Sequence, residues 1–166
     1  MQFWHLLLTL AAVKATIASP TGSAIQGEAD AAADIDAIII AKYGLTDDGE
    51  ASPAEFGLSK RARKCYSDDW RWDTEKNYAL DRAGRWCSGN GGSGSYRKGQ
   101  QKGGCYNLNS VKRVNFLIQN RQDKDTSLSS GACFRFLRGI INDCSRGGEN
   151  SNGAWWWTAD SNKGKC

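Results

Sequence analysis

The sequence predicts an α+β domain, a small antiparallel sheet packed with two main helices into a sandwich and stapled by disulfides. Three observations predict it. Two segments carry apolar residues at helical spacing, a segment between them alternates apolar with polar residues, and all six cysteines fall between Cys65 and Cys166.

The chain opens with Phe3, Trp4, His5 and an apolar run from Leu6 to Val13, followed by small residues ending at Ala18. The run is too short to span a bilayer, so residues 1–18 read as a signal peptide, cut after Ala18 or Ser19. Secretion then follows, and the even cysteine count agrees with an oxidising compartment. Residues 19–61 hold eight acids against few bases and no cysteine, which reads as an acidic pro-segment. Within it Ala31 to Tyr43 can form a short apolar helix through Ile35, Ile38, Ile39 and Ile40, with too little apolar area to fold alone. Lys60 and Arg61 close the segment as a dibasic processing site. The mature, disulfide-rich domain is therefore expected at residues 62–166. It holds 18 of the 22 Lys and Arg but only 10 of the 18 Asp and Glu, a charge of +8 against +4 for the whole chain.

In the mature part, Asp73 or Thr74 can cap a helix in which Ala79, Leu80, Ala83, Trp86 and Cys87 recur at helical spacing, ending at the glycine cluster from Gly89 to Gly94. A second helix starts near Ser129 or Ser130, places Cys133, Leu137, Ile140, Ile141 and Cys144 on one face, and ends at Gly147-Gly148. Between them Val114, Phe116 and Ile118 alternate with Arg113, Asn115 and Leu117 as a strand, and Tyr96 to Leu108 supplies one or two partner strands around Gly103-Gly104. Ala154 to Ala159 makes a last strand, and an Asx turn at Asp160-Ser161-Asn162 leads into Cys166. Cys65, Cys87, Cys105, Cys133, Cys144 and Cys166 can form three bridges whose pairing the spacing leaves open.

The only histidine is His5, inside the leader, so the mature domain has no imidazole for acid–base chemistry or metal ligation. No cysteine pair has CxxC spacing, and no cofactor is expected. The domain is expected not to be an enzyme. Carboxylate-only hydrolysis of a glycan is the residual catalytic reading, though no pair of acids is singled out.

Six of the seven tryptophans lie in the mature part, and indole rings stack on the apolar faces of sugars. In a strand, Trp155 and Trp157 share one face and Trp156 the other. Trp155 and Trp157 are assigned to the core and Trp156 to the exposed side. Trp86 belongs to the core, while Trp70 and Trp72 either cover the end of the core or rim a groove. Tyr96 and Tyr106 sit among Arg97, Lys98, Lys102, Lys112 and Arg113, which gives either a solvated surface or an anion site beside an aromatic platform. Trp156, Trp70, Trp72, Tyr96 and Tyr106 are thus the candidate ligand-binding rings. Nucleic acid is not favoured, because the tryptophan triplet lies outside the basic stretch.

The arrangement of Arg85-Trp86-Cys87, Gly94-Ser95-Tyr96, Cys105, Cys133 to Cys144, Ser145-Arg146-Gly147-Gly148 and the tail Ala159-Asp160-Ser161-Asn162-Lys163-Gly164-Lys165-Cys166 resembles a group of small secreted six-cysteine proteins of filamentous fungi. That group is similar to the domain of a mushroom glycan-binding protein called Y-three, and more remotely to the α/β sandwiches of killer toxins and plant-pathogen effectors. Its usual tail has Asp-Pro-Asn where this chain has Asp160-Ser161-Asn162. The resemblance implies helices on an antiparallel sheet and a lectin-like, extracellular activity. The expected function is glycan binding, of a cell-wall or host glycoconjugate, with a fungal effector among the roles the resemblance implies. A cationic toxin or effector acting on an anionic membrane surface or a host protein is the alternative.

Overall fold

The computed structural model describes residues 35–45, 63–67, 70–89 and 91–166. Residues 1–18, read above as a leader, most of the acidic stretch 19–61 and the Lys60-Arg61 pair lie outside them. The described elements are α1 (35–43), β1 (Lys64–Cys65), a 3-10 turn at Asp73–Glu75, α2 (Lys76–Ser88), β2 (Gly94–Tyr96), β3 (Gln101–Asn107), β4 (Lys112–Asn120), β5 (Thr126–Leu128), α3 (Ser130–Asp143), β6 (Gly147–Ser151) and β7 (Trp155–Lys163). They form the expected α+β fold. A five-stranded antiparallel sheet has the order β1-β6-β7-β4-β3, and β2 pairs with β5 in a second, two-stranded sheet.

Strand β4 alternates buried and half-buried residues along its whole length, so one face of the sheet is apolar and the other is not. Val114, Phe116 and Ile118 point inward and are fully buried. Helices α2 and α3 cover this inner face through aromatic pairs. Trp86 stacks on Phe116 at 5.6 Å, and Phe136 lies flat on Trp157 at 4.0 Å and 8°. Fully burying side chains of this size contributes about 1.5–3 kcal/mol each. Ser129 caps α3, its side chain accepting from the Ala132 N–H, as its position before the apolar run predicts.

The disulfides pair Cys65 with Cys144, Cys87 with Cys133, and Cys105 with Cys166. The first ties β1 to the end of α3, the second joins the two helices inside the core, and the third fixes the C-terminal tail to edge strand β3.

Several local expectations change. No side chain caps α2. Asp73 instead takes a positive φ of 46°, and its carboxylate reaches Lys112. Helix α3 stops at Asp143, and Gly147-Gly148 belongs to β6 rather than to a helix end. A Cβ on Gly148 would lie 2.5 Å from the Lys64 carbonyl, so glycine is what lets β1 and β6 pair there. Asp160 and Asn162 lie inside β7, and the chain turns at Gly164, where φ is +94°.

Gly103-Gly104 does not turn the chain either. It runs through β3, while Tyr96 pairs with β5. The reason is Trp86, whose ring occupies the space of the missing side chains. A Cβ at Gly91, Gly92 or Gly104 would fall 2.4, 2.6 and 2.7 Å from it. The glycine cluster therefore walls an indole as well as ending a helix. A Gly104→Ala protein is expected to lose about 1–3 kcal/mol in chemical denaturation, because the ring, held between the helix and Phe116, cannot retreat.

Candidate functional site

The outer face of the sheet is built from the alternate residues of its strands, and helices α2 and α3 pack on the inner face. Register places the outer residues in rungs. Gln101, Gln119, Trp156 and Ser151 form one rung; Gly103, Leu117, Thr158, Glu149 and Lys64 the next; Cys105, Asn115, Asp160 and Gly147 the third. Trp156 is half-buried there, between buried Trp155 and Trp157 on the opposite face. The period of two decides this, since an indole triplet in a strand must divide between faces.

Polar groups on this face are held in place, Gln119 on the Trp156 rung and the others further along β4 and β7. Arg113 Nε donates to Asn115 Oδ1 at 3.1 Å, and Asn162 Nδ2 lies 3.2 Å from the same oxygen and 2.7 Å from Asp160 Oδ2. Gln119 Nε2 donates to the Gly99 carbonyl at 3.4 Å. The tail closes one end of the face. Arg113 Nη1 donates to the carbonyls of Lys163 and Lys165, at 2.9 and 3.1 Å, and the Cys166 N–H donates to Asn107 Oδ1. Arg113 shares this surface with Asp160, and Lys64 is opposite Glu149, so the face is mixed in charge and rich in amides. Such a surface suits a neutral polyhydroxylated ligand better than a polyanion.

The five candidate rings do not gather in one place. Trp156 is on the outer face. Trp70 is 40% exposed at the far end of the sheet, with the Lys112 and Lys163 ammonium groups each 5.9 Å from its ring. Trp72 is only 2% exposed, its indole N–H donating to the Cys144 carbonyl at 2.6 Å. Tyr96 is 1% exposed, its hydroxyl donating to the Gly92 carbonyl at 2.5 Å and its ring meeting Trp155 edge-on. Burial pushes that phenol above its ordinary pKa. Trp72 and Tyr96 are thus core rings with satisfied polar tips and offer no face to a ligand. Tyr106 packs on the core beside Phe116, on the inner side of β3.

The basic stretch also disperses. Lys112 is buried and holds the loop before α2, donating to the Arg71 carbonyl at 2.7 Å, to Glu75 at 2.9 Å and to Asp73 at 3.3 Å. Lys102 donates to the Ser93 carbonyl with its ammonium 4.2 Å over the Tyr96 ring. Lys98 pairs with Asp123. No single anion platform arises from these side chains.

Glu75, reached also by Asn109 Nδ2 at 2.8 Å, has its carboxyl held below the usual carboxylate range, chiefly by the Lys112 hydrogen bond. A depressed folded-state pKa stabilises above the unfolded value of about 4.3, and that stabilisation is lost as pH falls through the folded value. Denaturant midpoints measured from neutral pH into acid should therefore fall more steeply in the native chain than in Glu75→Gln.

The amides Gln119, Asn115 and Asn162 went unnoticed as site residues in the sequence. The available signal was their position, since they fall on the polar alternates of β4 and β7.

Fold and face together make a disulfide-bonded α+β domain whose outer sheet face carries a half-buried indole, a neighbouring Gln119 and, further along the strands, the fixed amides Asn115 and Asn162. The family described as glycan binding domain Y3 matches residues 82–166, from the middle of α2 to the C-terminus, and the chain belongs to that family. No curated protein sequence matches it. The matched span contains Trp156 and nearly all of the outer face, and leaves out Trp70 and Trp72.

Proposed function

We propose that this chain is a secreted, lectin-like carbohydrate-binding protein of fungal type, without catalytic activity, and that its sugar platform is the outer face around Trp156. The observation that carries the reading is the Trp156 rung, where a half-exposed indole is flanked by Gln119 and Ser151 on a face opposite the helices. An indole stacks on a sugar's apolar face while amides and hydroxyls take its equatorial groups. Family membership supports the ligand class. The polar, mixed charge of the face supports a neutral rather than an acidic glycan, and the dispersal of the basic side chains weighs against the cationic-toxin reading.

The leader and acidic segment fit a precursor cut after Arg61, so N-terminal sequencing of the disulfide-bonded domain, separated under denaturing conditions, should begin at Ala62. Tryptophan fluorescence of the whole chain, titrated with a bound glycan, tests the site. The signal should change for the native protein and for Trp70→Phe but not for Trp156→Phe. The reverse pattern would move the site to the Trp70 end.

A further inference from the structure

The one described part of the acidic segment sits against the helices. Helix α1 lays Asp36, Ile39 and Tyr43 on α2 and α3, positions that share a helical face at this spacing. Ile39 is 4% exposed and Leu45 7%, while Ile38 and Ile40 remain exposed. The fit is specific. A Cβ on Gly84 of α2 would lie 2.5 Å from Ile39 Cγ2 and 2.8 Å from Tyr43 Cδ2, so this glycine leaves the hollow that α1 fills.

Charges lock both ends of the contact. Asp36 pairs with Arg138 of α3 at 3.2 Å, and its side chain is only 13% exposed. Lys42 and the Tyr43 hydroxyl both donate to Asp81 of α2, the latter at 2.9 Å. So short a helix is marginal alone in water, and docking supplies its stability. Its place is also informative. Gly84 faces α1 while Trp86, two residues on in the same helix, faces Phe116 of the sheet, so α1 lies on the side of α2 away from the sheet.

We propose that the hollow over Gly84 on α2 and α3 is a helix-docking site whose occupant is this chain's own segment 35–45, and that the segment stays bound after cleavage at Lys60-Arg61. It braces the helical layer from the side of α2 away from the sheet. No cysteine precedes Cys65, so retention after cleavage is entirely non-covalent. The inference stands whatever the outer face binds.

The uncut precursor, with its disulfides formed, cut in vitro with a dibasic-specific protease and followed by native mass spectrometry and gel filtration, tests this. The wild-type N-terminal piece should remain with the disulfide-bonded domain. Gly84→Leu introduces a better helix former whose side chain points at α1, so the domain should fold and release the piece on cutting, roughly a tenfold or greater loss of retention. Ile39→Asp should do the same from the other side, and in the uncut chain it should raise hydrogen exchange in α2. Immediate release of the wild-type piece, or retention by Ile39→Asp equal to wild type, would overturn the proposal.

Discussion

A Lys112→Met protein should unfold far more easily than the native chain, by about 3–5 kcal/mol, or on the order of 15–25 °C in melting temperature. The Lys112 side chain is only 6% exposed, and its ammonium group is the common partner of the Arg71 carbonyl, Glu75 and Asp73. Removing it leaves the Glu75 carboxylate, 16% exposed, without its cation in a pocket that water reaches poorly. The loss should be partly reversed in the double variant Lys112→Met, Glu75→Leu, because the cost of a broken buried pair lies in the charge left behind. Thermal denaturation of the three proteins separates this from simple loss of packing, which the second substitution would not repair. The same experiment reports on the loop from Trp70 to Glu75, since Lys112 bonds Arg71, Asp73 and Glu75 within it.

The largest expected effect on binding is that of Trp156→Ala. An aromatic anchor at the centre of a binding surface typically costs about 2 kcal/mol or more on truncation, a loss of roughly thirtyfold in glycan affinity. Because the ring is half-exposed on the face away from the core, stability should change by no more than about 1 kcal/mol. Isothermal titration with a bound glycan, beside circular dichroism, measures both. Trp157→Ala is the informative contrast. It removes the ring stacked on Phe136, so it should cost about 3–5 kcal/mol of stability, with any effect on binding following from unfolding.

Much of this was legible in the residues. Alternation in β4 identified the inner face, the Ser129 cap marked the start of α3, and the period of two divided the tryptophan triplet correctly between core and surface. What escaped was decided by neighbours distant in sequence. Gly103-Gly104 looks like a turn until Trp86 is known to occupy the space beside Gly104, and Gly147-Gly148 looks like a helix end until β1 is known to cross it. Asp73 looks like a cap until Lys112 claims its carboxylate. Strand β6 could have been found, because Asn152-Gly153 is a hairpin signal directly before the triplet, and Asn152 does bond Trp155 across that turn. The burial of Trp72 and Tyr96 was not readable locally. Both rings reach backbone carbonyls, and for Trp72 the partner lies 72 positions away.

Carbohydrate binding by the outer sheet face that carries Trp156 is tested most directly by binding of the intact, disulfide-bonded chain to a broad glycan array at physiological and at raised salt. A set of structurally related neutral glycans should bind and survive the added salt, since a face of mixed charge holds its ligand by stacking and hydrogen bonds rather than by long-range attraction. A blank array, or binding confined to acidic glycans and abolished by salt, would contradict it.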